Sequence, residues 1–348
     1  MLADELDYVI GVDTHRDEHV VAVVTAPAGA VVAGGAAPAN ARGYRELLRV
    51  VKRHAPGRRA WAIEGSGSYG AGLARFLAGR GETVLEVSRT PRSGRRLHGK
   101  DDSVDAVETA RAALAAERLA LPRSGGQREA LRLLLIARRS AVDVRRQALV
   151  QLRAVIVTAP DDLRRELRSL PTGALLERCS HLRRSSGPSD EVTNRLVLRS
   201  LARRAQAATA EADELEHEIL AHVRALTPAL LDEPGIGPIV AAQLIVSWSH
   251  HGRVRSEAAF ARLAGVAPIP ASSGQTQRHR LSRGGDRQLN RALHTIVLHR
   301  RQHDQATKAY IAKRIAEGKS RRDATRLLKR YLARHLYRLL ENQETLMA

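Results

Sequence analysis

Hydrophobic and polar positions change their period along this chain. In the first third, short apolar runs alternate with helical patterns. Tyr8–Val12, His19–Thr25 and Ala30–Ala33 predict three strands joined by short turns, as in an antiparallel meander. Asn40 can cap a helix running to about His54, with Leu47, Leu48, Val50 and Val51 at its apolar positions. Arg59–Ile63 predicts a fourth strand, Ala71–Ala78 a helix and Thr83–Val87 a fifth strand. A basic segment, Arg89–Lys100, then leads into a helix beginning near Ser103. From Gln127 onward the pattern is helical. Glu129 to about Val157 reads as one long amphipathic helix carrying Arg138, Arg139, Arg145, Arg146 and Arg153. Arg183–Ser189 interrupts the run, and Glu191–Leu226 resumes it with Leu196, Leu201, Leu215 and Ile219 at apolar positions. Helices are further predicted over Arg287–His303 and from Ser320 to about Glu341, after a loop rich in small, polar and basic residues over Val266–Asp286.

Three strands followed by helix–strand–helix–strand–helix is the element order of an α/β ribonuclease H-like fold, expected over residues 1–124. Two long helices around a break predict an antiparallel coiled-coil arm over 125–226, able to dimerise or to clamp a nucleic acid. An all-α unit is expected over 227–348. It opens on Leu231–Ile239, where Pro234-Gly-Ile-Gly-Pro238 before an apolar helix looks like a helix-hairpin-helix turn. Glycines there would let backbone N–H groups approach a phosphate; the plainer reading is a Gly-Pro loop between helices.

Composition adds a partner class. The formal net charge is +20 and the sequence pI about 11.2, and nearly all the positive charge is arginine. Arginine's planar fork favours contacts to phosphate, so a polyanionic partner is expected. Aromatic residues make up 3% of the chain, too few for base-stacking platforms, so grip on backbone phosphates and duplex shape fits better. The lone Cys179 excludes an intrachain disulfide framework, fits a reducing cytoplasm and reads as a buried helix residue more than a nucleophile. No segment is apolar for long enough to span a membrane, and the acidic start (Asp4, Glu5, Asp7) does not read as a signal peptide.

Within this basic chain, four acids stand out. Asp13 closes the first apolar run and Glu64 closes the fourth, while Asp102 and Asp105 lie three apart at a helix start and so share one face. Phosphodiester cleavage by two magnesium ions, about 3.5–4 Å apart, needs such clustered hard oxygen ligands. If the first and fourth strands are neighbours and the helix crosses them, Asp13 would bridge both ions and the other three acids would complete the sites. Each acid alone has a plainer role: Glu64 could cap the next loop and Asp102 could simply begin a helix. Asp101 competes with Asp102, and Asp17 more weakly with Asp13.

Other motifs carry less. Gly65-Ser-Gly67-Ser-Tyr-Gly70 has dinucleotide-loop spacing but follows the fourth strand, directly after Glu64, and Glu86 is a loose match for a ribose-binding acid. A glycine turn beside a metal ligand is the better account. His217-Glu218 with His222 has one residue too many for a zinc-protease helix. His15 and His19 flank Asp13 and read as exposed or substrate-contacting. Ser272-Ser273-Gly274 lies in a basic loop with Arg278 and Arg280, whose charge would help a serine attack phosphate.

Taken together, these blocks resemble the insertion-sequence transposase family numbered one-ten. The resemblance rests on Val9-Ile-Gly-Val-Asp13, Ala62-Ile-Glu64 and Lys100-x-Asp102-x-x-Asp105-Ala106. C-terminally it rests on Pro234–Pro238, Phe260-Ala-Arg-Leu-Ala-Gly-Val-Ala-Pro268, Ser272-Ser-Gly274 and Leu281-Ser-Arg-Gly-Gly-Asp-Arg287. Asp101 departs from the family's usual Thr. The resemblance implies a RuvC-like domain whose metal ligands are Asp13, Glu64, Asp102 and Asp105, with Mg2+ as cofactor and Mn2+ able to substitute. It also implies a C-terminal transposase domain whose catalytic serine is Ser273, with Ser272 the fallback. That serine would join covalently to a DNA end. Duplex DNA, donor and target, a structured noncoding guide RNA and a homo-oligomer, dimer or tetramer, are the implied partners. The rival readings are a Holliday-junction resolvase-like nuclease that uses water, and a nucleic-acid-binding protein with a degenerate acid cluster.

Overall fold

The computed structural model describes residues 2–87, 102–183, 186–271, 279–280, 282 and 284–344. The chain divides into two compact units, Met1–Gly125 with Ser249–Arg255, and Gly126–Trp248 with Ser256–Ala348.

The first unit begins with a short helix, α1 (Leu2–Glu5), and is built on strands β1 (Tyr8–Thr14), β2 (Glu18–Thr25), β3 (Val31–Pro38), β4 (Arg59–Glu64) and β5 (Thr83–Val87). Their order in the sheet is β3-β2-β1-β4-β5. The β1/β2 and β2/β3 pairs are antiparallel, while β1/β4 and β4/β5 are parallel. This mixed α/β sheet is consistent with the expected ribonuclease H-like arrangement. Strand β3 runs further than the predicted Ala30–Ala33, because Gly34, Gly35, Ala36 and Ala37 continue the pairing despite weak apolar character.

β1 is apolar without alternation because it is covered on both faces. Ile10, Val12, Trp61 and Ile63 share one core with Leu47, Leu48 and Val51 of α2 (Ala41–His54) and with Leu73 and Leu77 of α3 (Ala71–Ala78). Val9, Ala62 and Val87 share the opposite core with Ala110, Ala113 and Leu114 of α4 (Asp102–Ala115). Asn40 caps α2 as predicted, its side chain accepting from the N–H groups of Arg42 and Gly43. A buried ion pair supports β4: the Arg59 Nη2 donates to Glu82 Oε1 at 2.6 Å, and Trp61 Nε1 donates to Glu82 Oε2 at 3.0 Å. These hydrogen bonds, Arg59's first, hold the Glu82 carboxyl below the usual carboxylate range against the opposing effect of burial.

Residues Ser249–Arg255 join this unit from far along the chain. Arg253 is nearly enclosed there, donating from Nη2 to Glu86 at 3.2 Å and from Nε to the Leu121 carbonyl at 3.2 Å. Ser249 Oγ accepts from the Ser124 N–H at 2.9 Å.

The second unit is helical. α5 (Gly126–Val157) and α8 (Ser189–Leu226) pack side by side. Arg138 pairs with Glu216, whereas Leu152 and Ile156 share a core with Leu198 and Ala202, so the two helices run antiparallel. Between them lie two helices absent from the sequence expectation, α6 (Asp161–Leu167) and α7 (Thr172–Ser180). Each follows a proline, Pro160 or Pro171, at its N-cap, and their short lengths leave no sustained periodicity to detect. Cys179 is fully buried in that core, and burial raises its thiol to about 11, which suits packing and not nucleophilic attack.

After α8 a 3-10 turn, Pro228–Leu230, precedes Gly235 and α9 (Pro238–Trp248). Gly235 sits at φ +82°, and a Cβ there would meet the His299 ring at 3.0 Å, so both conformation and packing call for glycine. The unit continues with α10 (Glu257–Leu263), two antiparallel strands of two residues each, β6 (Ile269–Pro270) and β7 (His279–Arg280), then α11 (Arg287–His303), α12 (Gln305–Ala316) and α13 (Arg321–Glu344). The β6/β7 pairing falls within the loop expected over Val266–Asp286, and α10 and α12 are additional to the expected helices. Among the described residues, no helix is long and apolar enough to cross a membrane.

Candidate metal centre

Parity along the strands directs the acids. Val9 of β1 and Ala62 of β4 lie in the core under α4. Side chains two residues apart share a sheet face, so Gly11 and Asp13 on β1, and Glu64 on β4, belong to that same layer. In the parallel register Val12 pairs with Ile63, so Asp13 and Glu64 each stand one residue beyond it. There Thr14 Oγ1 donates to the Glu64 carbonyl at 2.9 Å, tying the two strand ends together.

α4 supplies the other wall. Ala106, Ala110 and Ala113 form a stripe of small, fully buried residues that lets the helix approach the sheet closely. Gly11 completes that contact: a Cβ on it would stand 1.9 Å from the Ala106 carbonyl oxygen and 2.6 Å from the Ala110 nitrogen. Asp102 lies one helical turn before Ala106, and Asp105 one turn before the buried Thr109, so both precede positions packed toward the sheet. Thr109 Oγ1 donates to the Asp105 carbonyl at 2.9 Å. Apolar packing thus ends where the strands end, and the carboxylates begin there.

Asp13 and Asp102 meet at a histidine. His15 Nε2 lies 3.0 Å from Asp13 Oδ2 and 3.5 Å from Asp102 Oδ2. Asp13, His15 and Asp102 each offer a ligand atom, all within 4.8 Å of one another, the one such group among the described residues. Two carboxylate oxygens and an imidazole nitrogen, all half-buried, form a donor set that fits a divalent metal. Glu64 and Asp105 are half-buried on the adjoining strand and helix turn but do not belong to that three-residue group.

One expectation is corrected, that for His19. His15, just past the end of β1, is partly exposed and adjoins both aspartates, and its place two residues after Asp13 was the signal for that proximity. His19 is fully buried and stacked on Tyr44 with ring centroids 5.7 Å apart, and is not exposed. Burial lowers its pKa. Asp17 stands apart in solvent, paired with Arg16 at 2.8 Å. Asp101 and the serine loop, Ser272 and Ser273, lie outside the described residues.

The glycine turn after Glu64 folds on itself. Gly65 has φ +71°, and its carbonyl accepts from the N–H groups of Ser68 and Gly70. His217 Nδ1 bonds the Asp213 carbonyl on its own helix at 2.7 Å, and neither His217 nor His222 belongs to a metal-ligand group among the described residues.

Residues 10–159 match a transposase family model, the DEDD transposase of IS110 type, and residues 228–312 match the Transposase IS116/IS110/IS902 family. The chain belongs to the IS110 family of transposases. The first matched region contains Asp13, Glu64, Asp102 and Asp105, and the second contains the Pro234–Pro238 turn and the Ser272–Gly274 block. Over 150 residues the chain is 32% identical to the insertion element IS110 uncharacterised 43.6 kDa protein of Streptomyces coelicolor. That similarity covers 42% of this chain and 37% of the relative, so the chain matches little more than a third of that protein's length.

Proposed function

We propose that this chain cuts and rejoins DNA at the ends of an insertion sequence, with a magnesium site at Asp13, Glu64, Asp102 and Asp105 and a nucleophile at Ser273. The observation that carries the reading is the meeting of Asp13, from a central strand, and Asp102, from a helix, on one imidazole. It occurs at the carboxyl end of parallel β1 and β4, the usual place for a ligand in sheets of this kind. Bound magnesium, or manganese in its place, supplies charge neutralisation for phosphate oxygens. The protein's share is to hold the carboxylates in fixed directions: Asp13 and Glu64 by the sheet, Asp102 and Asp105 by the first turn of α4, and Asp13 further by its hydrogen bond with His15.

The serine step conserves bonds. Ser273 Oγ bonds to phosphorus as a phosphorus–oxygen bond of the DNA backbone breaks. The serine proton passes to a base and the departing DNA oxygen takes one up. The covalent Ser–phosphate ester keeps the energy of the broken linkage, and reverse attack by a DNA hydroxyl rejoins the strand. A structured guide RNA and a homo-oligomer, dimer or tetramer, belong to the same reading. The net charge of +20 and the scarcity of aromatics support binding of folded RNA and duplex DNA by their backbones. α5 and α8 serve as the coiled-coil arm for self-association, with Leu133, Ile136 and Val150 offering exposed apolar surface. The Pro234–Pro238 turn acts as the helix-hairpin-helix contact to a DNA backbone.

The test is product trapping with labelled element-end DNA and magnesium. A denaturation-resistant protein–DNA adduct that disappears in Ser273→Ala, while DNA binding persists, is the expected result. Adduct-free cleavage that survives Ser273→Ala would overturn the serine step in favour of a water-using nuclease. Absence of any metal-dependent cleavage would overturn the enzymatic reading.

A further inference from the structure

The second unit contains a strongly basic cavity that takes no part in the metal centre. It lies between α11 and α13 and has a volume of about 560 Å3. Its lining includes Arg287, Arg301, Arg321, Arg322, Arg326 and Lys329. One carboxylate borders it, Asp286, and that group is already engaged: it caps α11 by accepting from the Gln288 and Leu289 N–H groups and also accepts from Ser247 Oγ at 2.7 Å. Arg326 has a partly exposed partner in Asp323 at 3.2 Å. Arg287, Arg301, Arg321 and Arg322 have no ion-pair partner among the described residues.

Two features make this crowding costly without an anion. Arg321 and Arg322 occupy the first turn of α13, a helix of 24 residues, where the positive end of the helix dipole disfavours cations. Lys329 is held at one place: its Nζ donates to Asn290 Oδ1 at 3.0 Å, while Asn290 Nδ2 donates to the Ala264 carbonyl at 2.7 Å. Burial, and then the neighbouring Arg326, lower the pKa of that amine. His294 is likewise lowered, first by burial and then by Lys329 and Arg301. Positive charge is thus assembled and oriented from two helices around a space large enough for a nucleotide's phosphate and sugar.

We infer that this cavity binds a backbone phosphate of a DNA strand. Arginine forks from α13 and α11 would clasp the phosphate oxygens, and Lys329 would add a fixed charge from the floor. The choice of DNA rests on the transposase reading; the anion chemistry of the cavity does not.

The test measures binding of the full chain to a labelled DNA duplex by fluorescence anisotropy across a salt series. Arg321→Gln with Arg322→Gln is expected to weaken binding about tenfold and to reduce the slope of log affinity against log salt by about one for each phosphate no longer neutralised. Arg287→Gln, on the other helix, is expected to act in the same direction. Arg321→Lys with Arg322→Lys is expected to recover most of the affinity, because charge is kept. Unchanged affinity and slope in both glutamine variants, with unchanged circular dichroism, would overturn the site. A loss confined to a labelled structured RNA would overturn its assignment to DNA. Metal-dependent cleavage measured on the same preparations separates the two readings. Binding that depends on these arginines without any cleavage sinks the enzymatic reading alone, and cleavage with arginine-independent binding sinks the cavity alone.

Discussion

Gly11 lies directly against the carbonyl of Ala106, so closely that a Cβ on the glycine would stand 1.9 Å from that oxygen. This contact sets the height of α4 above the sheet, and with it the distance from Asp102 to Asp13. Gly11→Val must push the helix outward. The expected result is a loss of about 1–3 kcal/mol in urea denaturation from overpacking, together with metal affinity reduced at least as far as in an aspartate variant. Wild-type metal affinity in Gly11→Val would show that the helix position is not what assembles the site.

Asp102 and not Asp101 is expected to carry the ligand role. Asp102→Asn should weaken Mn2+ binding, read by isothermal titration calorimetry, by about tenfold or more, and Asp101→Asn should leave it close to wild type. His15→Ala should also weaken the ion if the imidazole ligates or orients both aspartates. Equal effects of the two asparagine variants would place the site elsewhere on the helix.

Arg59 and Glu82 link stability to pH. The Glu82 carboxyl is held below its ordinary value in the folded protein, chiefly by the Arg59 hydrogen bonds. A depressed folded-state pKa contributes stability that is fully present above the unfolded value, about 4.3, and is lost as pH falls through the folded one. Glu82→Gln should therefore lower the unfolding free energy by about 2–4 kcal/mol at pH 7. The gap from wild type should narrow progressively below about pH 4. Denaturant titrations at several pH values read this directly, and a gap independent of pH would count against the pair.

Arg253 ties the Ser249–Arg255 segment into the first unit. Its side chain is 8% exposed and bonds both Glu86 and the Leu121 carbonyl. Burial lowers its pKa, partly offset by Glu86. Arg253→Leu leaves a carboxylate and a carbonyl without this donor, and should cost about 2–3 kcal/mol by chemical denaturation. A change below about 0.5 kcal/mol, the level of an ordinary surface substitution, would show that the segment is only loosely attached.

Most of the strand-and-helix order and the candidate acids were legible in the sequence, for a local reason. Apolar runs closed by Asp13 and Glu64, the Asn40 cap and the three-residue spacing of Asp102 and Asp105 are all written within a few residues of one another. The family was legible for the same reason, since its blocks are short and contiguous. Pairing was not local. That β1 neighbours β4, that Gly11 is the seat of α4, and that His15 lies beside two aspartates far apart in sequence depend on contacts that only the assembled sheet creates. The same holds for Arg253, whose partners lie more than a hundred residues upstream, and for the basic cavity, where arginines of α11 and α13 read individually as solvated charges. Local pattern determines which elements form and what chemistry they carry; only packing, through small residues such as Gly11 and Ala106 that let elements close on each other, decides which side chains meet.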